Sequence, residues 1–197
     1  MNLPNRLTVL RMLSIPLITV IYLFPYEALG IVVPTWQVGS VILSLEKMIV
    51  LVLFILASIT DYIDGSYARK HNMITTFGKF MDPIADKLLV NTLFFLLALD
   101  GLIPAFAFII MIWRDTIVDG VRMLAADKGQ VIPAANIGKL KTVAQMLAIM
   151  LVLIGNLPFE FIHFPLDTIM VWVATLLSAV SGVSYVVNAK DLIFESK

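Results

Sequence analysis

The sequence contains no cysteine. Disulfides, thiolate metal sites and cysteine nucleophiles are therefore excluded. Its two histidines, His71 and His163, are isolated from one another and read as interfacial residues. Charge is scarce too: 14% of the 197 residues are Asp, Glu, Lys or Arg, where a soluble domain carries roughly a quarter. Fourteen bases and fourteen acids cancel to a formal net charge of zero, so composition gives no sign of a nucleic-acid partner. Low-complexity tracts, linkers and short repeats are also lacking, which points to one domain over residues 1–197. What fills the chain instead is apolar: 60% hydrophobic residues and a mean hydropathy of +0.96. A chain of this size has too little interior to hide that much apolar surface, so an ordinary soluble globule is excluded, and so is a disordered chain. The class is an all-α polytopic membrane protein.

A spanning helix needs about 20 mostly apolar residues. Six segments meet this reading, at about 8–29, 41–60, 88–99, 103–121, 143–157 and 166–187. The third extends backwards through Asp82 and Asp86 if it is helical from there. The first has an apolar run too long for a signal peptide and no small-residue cleavage site after it. Asp100-Gly101 marks a tight turn, and Pro133, Pro158 and Pro165 fall in connections. Six spans place both termini on one side. That side holds Arg6, Arg11, Arg69, Lys70, Lys79, Lys87, Arg114, Arg122, Lys128, Lys139, Lys141, Lys190 and Lys197, against nine acids. The other holds only Lys47, against five acids. The positive-inside rule makes the first side cytoplasmic.

Carboxylates at membrane depth are costly and mark function by default. Asp61 and Asp64 end the second segment, and Asp82 and Asp86 open the third. On a helix, residues i and i+3 share a face, so Asp61 and Asp64 point alike, with Ala68 one turn further. Gly78, Asp82 and Asp86 repeat at i+4 and also share a face. Pro83 is tolerable near the start of that helix. Two antiparallel helices would thus present four carboxylates to each other across a short cytoplasmic connection. Uncompensated, these would repel and some would stay protonated. A divalent cation resolves this, and carboxylate oxygens suit Mg²⁺, Mn²⁺ or Ca²⁺ rather than zinc or copper. The plainer alternative is a solvated face paired with Arg69, Lys79 and Lys87. Gly65, Ala68 and Gly78 allow close helix packing on either reading.

The pattern Asp61-x2-Asp64-Gly65-x2-Ala68-Arg69-x8-Gly78-x3-Asp82-x3-Asp86 fixes eight residues over 26 positions. It matches without departure the signature of the CDP-alcohol phosphotransferase family, which the chain resembles. Residues Asn2–Arg11, Arg114-Asp115 and Gly138–Thr142 resemble, more narrowly, the bacterial branch that makes phosphatidylglycerophosphate. The resemblance covers most of the chain, apart from the extracytoplasmic loops and the last segments, which read as merely hydrophobic. It implies a six-helix membrane enzyme of the bacterial cell membrane, commonly a homodimer, with its active site near the cytoplasmic surface. The implied reaction displaces CMP from a CDP-linked lipid by an alcohol, with Mg²⁺ or Mn²⁺ as cofactor, two ions being expected. Asp61, Asp64 and Asp82 resemble the metal ligands, and Asp86 the ligand that also accepts a proton. Asn5, Thr8, Asp61, Gly65, Ala68, Arg69, Thr75 and Gly78 resemble the CDP-lipid contacts.

The acceptor is argued separately. Arg114, Arg122, Lys139 and Lys141 gather on the cytoplasmic side, and Arg114 and Arg122, eight apart, lie near one face. Such a cluster suits a dianionic phosphate, so sn-glycerol 3-phosphate is expected with CDP-diacylglycerol, giving phosphatidylglycerophosphate and CMP. The alternatives are that the bases only report topology or contact anionic lipid, that another family acceptor is used (inositol phosphate, serine or phosphatidylglycerol), or that the carboxylates line a divalent-cation transport path. Asp115 reads as a partner of nearby Arg or Lys, and the Trp, Tyr and Phe residues as interfacial anchors or packing.

Overall fold

Six apolar segments become six helices in the computed structural model, which describes residues 3–70, 75–130 and 136–190, with side chains for all of these but 3, 4, 61–70 and 79. They are α1 (Leu3–Leu23), α2 (Leu45–Lys70), α3 (Thr76–Leu99), α4 (Ala105–Asp127), α5 (Asn136–Leu153) and α6 (Leu166–Asn188). Helix α3 does run back through both carboxylates. It starts so early that Pro83 stands in its third turn rather than near its beginning.

The first connection departs from the expected pattern. Helix α1 stops at Leu23 rather than continuing to Leu29, because Pro25 disfavours helix at the residue before it and brings no N–H of its own. A short 3-10 turn follows at Glu27–Leu29. Thr35–Val38 (β1) then pairs antiparallel with Val41–Ser44 (β2), in the register Thr35 to Ser44 and Val38 to Val41. Gly39 takes the two-residue turn between them with φ +65°, a conformation that costs glycine little. The apolar run of β2 flows straight into α2, so composition alone merges the two. Asp100-Gly101 is the expected turn, with Gly101 at φ +71°.

By length and apolarity α1 (from Asn5), α5 and α6 qualify as membrane spans among the described residues. Helices α3 and α4 carry the charged residues that function would need, which dilutes their hydropathy. Large apolar side chains lie exposed in stripes at helical spacing, Leu10, Leu13, Leu17 and Val20 on α1 and Leu176, Val180, Val183 and Val187 on α6. Stripes of that extent face something apolar, and in a chain of this composition that is lipid.

The chain divides into two compact units, Met1–Leu96 with Leu153–Phe164, and Leu97–Val152 with Pro165–Lys197. In the first, α1 packs along α2, and Ile18, Val50, Phe54, Leu89, Leu93 and Phe94 are buried. The hairpin packs on the second 3-10 turn, Phe159–Ile162. There Ser40 Oγ donates to Glu160 Oε1 at 3.2 Å, and the Phe161 ring lies against Gly39. In the second unit, α4 packs on α6. Buried Ala107, Met111, Asp115, Val118, Val121 and Ala125 form the inner stripe of α4. Val171, Ala174, Thr175, Ser178, Ser181 and Tyr185 form that of α6. Small residues there let the backbones approach closely.

Candidate functional site

The carboxylate end of α3 is held by the first turns of α1. Thr8 is buried, and its Oγ1 donates to Asp82 Oδ1 at 2.5 Å. Thr75 Oγ1 accepts the N–H of Gly78 at 3.0 Å, which caps the start of α3. The same hydroxyl donates to Asn5 Oδ1 at 2.7 Å. The second Asp82 oxygen, Oδ2, is directed toward Gly78. A Cβ on Gly78 would stand 3.4 Å from three oxygens at once, Asn5 Oδ1, Thr75 Oγ1 and Asp82 Oδ2. Asp82 and Asp86, one helical turn apart, are half-buried. The expected CDP-lipid contacts Asn5, Thr8, Thr75 and Gly78 thus converge with the expected metal ligand Asp82. Asp61, Asp64, Gly65, Ala68 and Arg69 lie on the last three turns of α2, but their side chains, and any cluster they complete, fall outside the described residues.

Two features bear on a cation here. Asp82 and Asp86 offer only oxygen donors, which fits a hard divalent ion. Asp82 is also oriented through one oxygen by a buried hydroxyl, leaving the other available, as second-sphere partners of metal-bound carboxylates do. Beside this end of α1 runs a groove of about 230 Å³ lined by Leu10, Leu13, Leu17, Leu53, Leu56 and Ala57, together with Arg11, Ser14 and Thr60. It begins one turn from Thr8 and at the residue before Asp61.

In the second unit three of the four expected acceptor bases are held by residues of α4 or α6. Asp115, buried on α4, accepts from Arg114 Nη1 at 2.9 Å and from Lys141 Nζ at 2.5 Å. The acid therefore ties α4 to α5. Arg114 Nη2 donates to Ser181 Oγ at 2.5 Å, and Arg122 Nη2 to Tyr185 Oη at 2.7 Å. The Tyr185 ring lies 5.8 Å from Arg114 Cζ and 5.3 Å from Arg122 Cζ. Arg114 Nε is buried with no hydrogen-bond partner among the described residues. Gly138, in the first turn of α5, lets Arg114 in: its Cβ would meet Nη2 at 3.3 Å. Lys139, two residues before Lys141 and so on another side of α5, is exposed and is not drawn into the cluster.

Two participants, Ser181 and Tyr185, escape a reading of the sequence that sees α6 as merely hydrophobic and its tyrosine as an anchor or packing. The one signal was a run of hydroxyl-bearing residues, Ser178, Ser181 and Tyr185, along one face of an apolar helix.

The family model described as CDP-alcohol phosphatidyltransferase matches residues 1–180. The chain belongs to the CDP-alcohol phosphatidyltransferase family. A Bacillus subtilis protein named CDP-diacylglycerol–glycerol-3-phosphate 3-phosphatidyltransferase is 41% identical over 187 residues, 93% of each chain. A Rickettsia bellii protein of the same name is 34% identical over 185 residues, again 93% of each. Both polar clusters lie inside the matched family region, except for Ser181 and Tyr185, which stand just past its end.

Proposed function

We propose that this membrane enzyme transfers the phosphatidyl group of CDP-diacylglycerol to sn-glycerol 3-phosphate, releasing CMP and forming phosphatidylglycerophosphate. The observation that carries the reading is the hydrogen-bonded junction of Asn5, Thr8, Thr75 and Asp82, which joins the two sequence features shared with the family, the start of α1 and the carboxylate motif. The names of the curated relatives support the same reaction. The proposal places six spans in the bacterial cell membrane, both termini and the site at the cytoplasmic face, and two units acting as one catalytic domain, with the enzyme working as a homodimer.

The chemistry is one substitution at the lipid-bearing phosphorus. The acceptor hydroxyl oxygen forms a new O–P bond, the bond to CMP breaks, and the hydroxyl proton passes to the Asp86 carboxylate. A positioned base of this kind contributes typically about 10²–10⁴-fold. Asp61, Asp64, Asp82 and Asp86 would hold Mg²⁺ or Mn²⁺, in the expected two-ion set, and the metal would neutralise pyrophosphate charge. Thr8 fixes the rotamer of Asp82. Gly78 leaves the space above three oxygens open to the nucleotide, with Gly65, Ala68 and Arg69 contributing from α2. The groove along α1 and α2 takes an acyl chain of the lipid substrate. On the acceptor side, Arg114, Arg122 and Lys141 supply charge for a phosphate dianion. Asp115 neutralises one of these charges and fixes two of the side chains. Lys139 contributes at longer range.

The test is CMP release from CDP-diacylglycerol by the purified protein, with glycerol 3-phosphate, serine, inositol phosphate and phosphatidylglycerol offered in turn. Release with glycerol 3-phosphate alone is expected. Incorporation of serine but not glycerol 3-phosphate overturns the acceptor assignment. Movement of Mn²⁺ across vesicles with no CMP released would favour a transporter.

A further inference from the structure

We propose that Ser181 and Tyr185 of α6 are positioning residues that aim the two α4 arginines at the acceptor phosphate. This rests on the reaction assigned above. Arg114 and Arg122 are eight residues apart, so their Cα atoms are separated by about 12 Å along α4. Yet one ring, that of Tyr185, lies within 6 Å of both guanidinium carbons, at 5.8 and 5.3 Å. Two like charges gathered at one ring repel unless something holds them. The holding contacts are on α6. Ser181 Oγ accepts from Arg114 Nη2 and Tyr185 Oη accepts from Arg122 Nη2. Ser181 and Tyr185 are four apart and share a face. Both are buried, Ser181 completely and Tyr185 to within 3%.

Between them Gly182 makes the approach possible, since a Cβ there would come within 3.0 Å of Arg114 Cγ. An arginine has five N–H donors in a rigid fork. With Nη1 on Asp115 and Nη2 on Ser181, Arg114 cannot swing, and its fork has one fixed direction. Arg122, largely exposed, has only the Tyr185 hydroxyl and ring to set its direction among these contacts. Neither hydroxyl needs to touch the acceptor. Each acts through an arginine, so its loss should weaken capture of the phosphate and leave the chemical step alone.

The experiment uses the full-length enzyme in lipid micelles, with Tyr185→Phe, Ser181→Ala, Arg122→Ala and the double variant Tyr185→Phe/Arg122→Ala. Loss of a hydrogen bond to a charged group predicts that KM for glycerol 3-phosphate rises about tenfold in Tyr185→Phe and in Ser181→Ala. Expected with it are kcat within about twofold and an unchanged KM for CDP-diacylglycerol. The melting temperature holds in Tyr185→Phe, whose arginine is exposed to water, and falls modestly in Ser181→Ala, which leaves a buried Arg114 N–H without its acceptor. If Tyr185 acts through Arg122, adding Tyr185→Phe to Arg122→Ala changes KM no further. A KM for glycerol 3-phosphate that does not move overturns the proposal. So does a parallel change of both KM values with a lowered melting temperature, which marks packing alone, or a double variant whose two effects multiply. Wild-type enzyme that releases no CMP with glycerol 3-phosphate overturns the reaction assignment itself, a result separate from any of these.

Discussion

The two units solve one problem with opposite signs. Around Gly78 the first unit gathers oxygens from α1, α3 and the residue just before α3: an amide oxygen, a carboxylate and a threonine hydroxyl. Around Asp115 and Tyr185 the second gathers cations from α4 and α5: two guanidiniums and an ammonium. In each, a hydroxyl on a neighbouring helix fixes a charged side chain, Thr8 for Asp82 and Ser181 for Arg114. In each a glycine stands beside the charged group, Gly182 letting Arg114 approach and Gly78 leaving space open beside the oxygens. The difference lies in how charge is balanced. Asp115 neutralises part of the cationic cluster from within. On the carboxylate side, the balance proposed here comes from a bound cation. An enzyme that moves a phosphatidyl group from a CDP-linked lipid to an anionic acceptor, the reaction proposed here, needs both kinds of surface.

The comparison breaks most sharply at Asp86. If Asp86 is the proton acceptor, Asp86→Asn lowers CMP release about a thousandfold, with CDP-diacylglycerol binding largely retained in a direct binding measurement. Near-normal release by that variant removes Asp86 from the role. Asp115→Ala tests the other unit through stability rather than turnover. It leaves Arg114 and Lys141 without their shared acid, and removing one partner of a buried pair costs about 3–5 kcal/mol. A fall in melting temperature and in folded yield is expected, with partial recovery in Asp115→Leu/Lys141→Met. Equal stability of Asp115→Ala and wild type would show that the acid is not what ties α4 to α5.

These two experiments follow the line between what was legible in the sequence and what was not. That the four carboxylates stand on two helices was legible from their i+3 and i+4 spacings in a chain where charge is rare; the metal role expected of them is a proposal. Six helices were legible from run length, and Asp115 as a partner of nearby bases from its neighbour Arg114. The hairpin was not, because Val41-Ile42-Leu43 is as apolar as the helix it precedes. Nor were Ser181 and Tyr185, since a hydroxyl in a hydrophobic helix looks the same whether it back-bonds to its own turn, as Thr175 does to Val171, or reaches an arginine on another helix. Only the packing of α6 on α4 separates these cases. The two basic neighbours on α5 were likewise indistinguishable by type: Lys141 is buried against Asp115, while Lys139 is exposed.

The hydroxyl at Thr8 sharpens the comparison at intermediate strength. Thr8→Val keeps the shape and removes the donor to Asp82. Loss of a second-sphere partner typically costs about 10–100-fold in metal affinity or activity. The half-saturating Mn²⁺ or Mg²⁺ concentration for CMP release should rise by that order, and the KM for glycerol 3-phosphate should hold. A shift in the acceptor KM instead would mean that Thr8 does not act through the carboxylate.

The smallest expected effects come from the glycines, and they separate the two clusters most cleanly. At Gly78 a methyl group meets three oxygens at 3.4 Å, an ordinary contact distance, so the protein accommodates it. What it occupies is the open space beside those oxygens. Gly78→Ala should therefore leave the melting temperature near wild type and raise the KM for CDP-diacylglycerol several-fold, by about 1 kcal/mol of lost fit. At Gly182 a methyl meets Arg114 Cγ at 3.0 Å, which is too close, and the arginine stem is held at its far end by Asp115 and Ser181. Gly182→Ala should displace Arg114, raising the KM for glycerol 3-phosphate and lowering stability by about 1–3 kcal/mol, with the nucleotide side unmoved. One glycine is open toward a ligand and the other is filled by the protein's own side chain. If Gly78→Ala destabilised the fold as much as Gly182→Ala and left both KM values alone, the space at Gly78 would be a packing contact, and the division of labour between the two units would lose its nucleotide half.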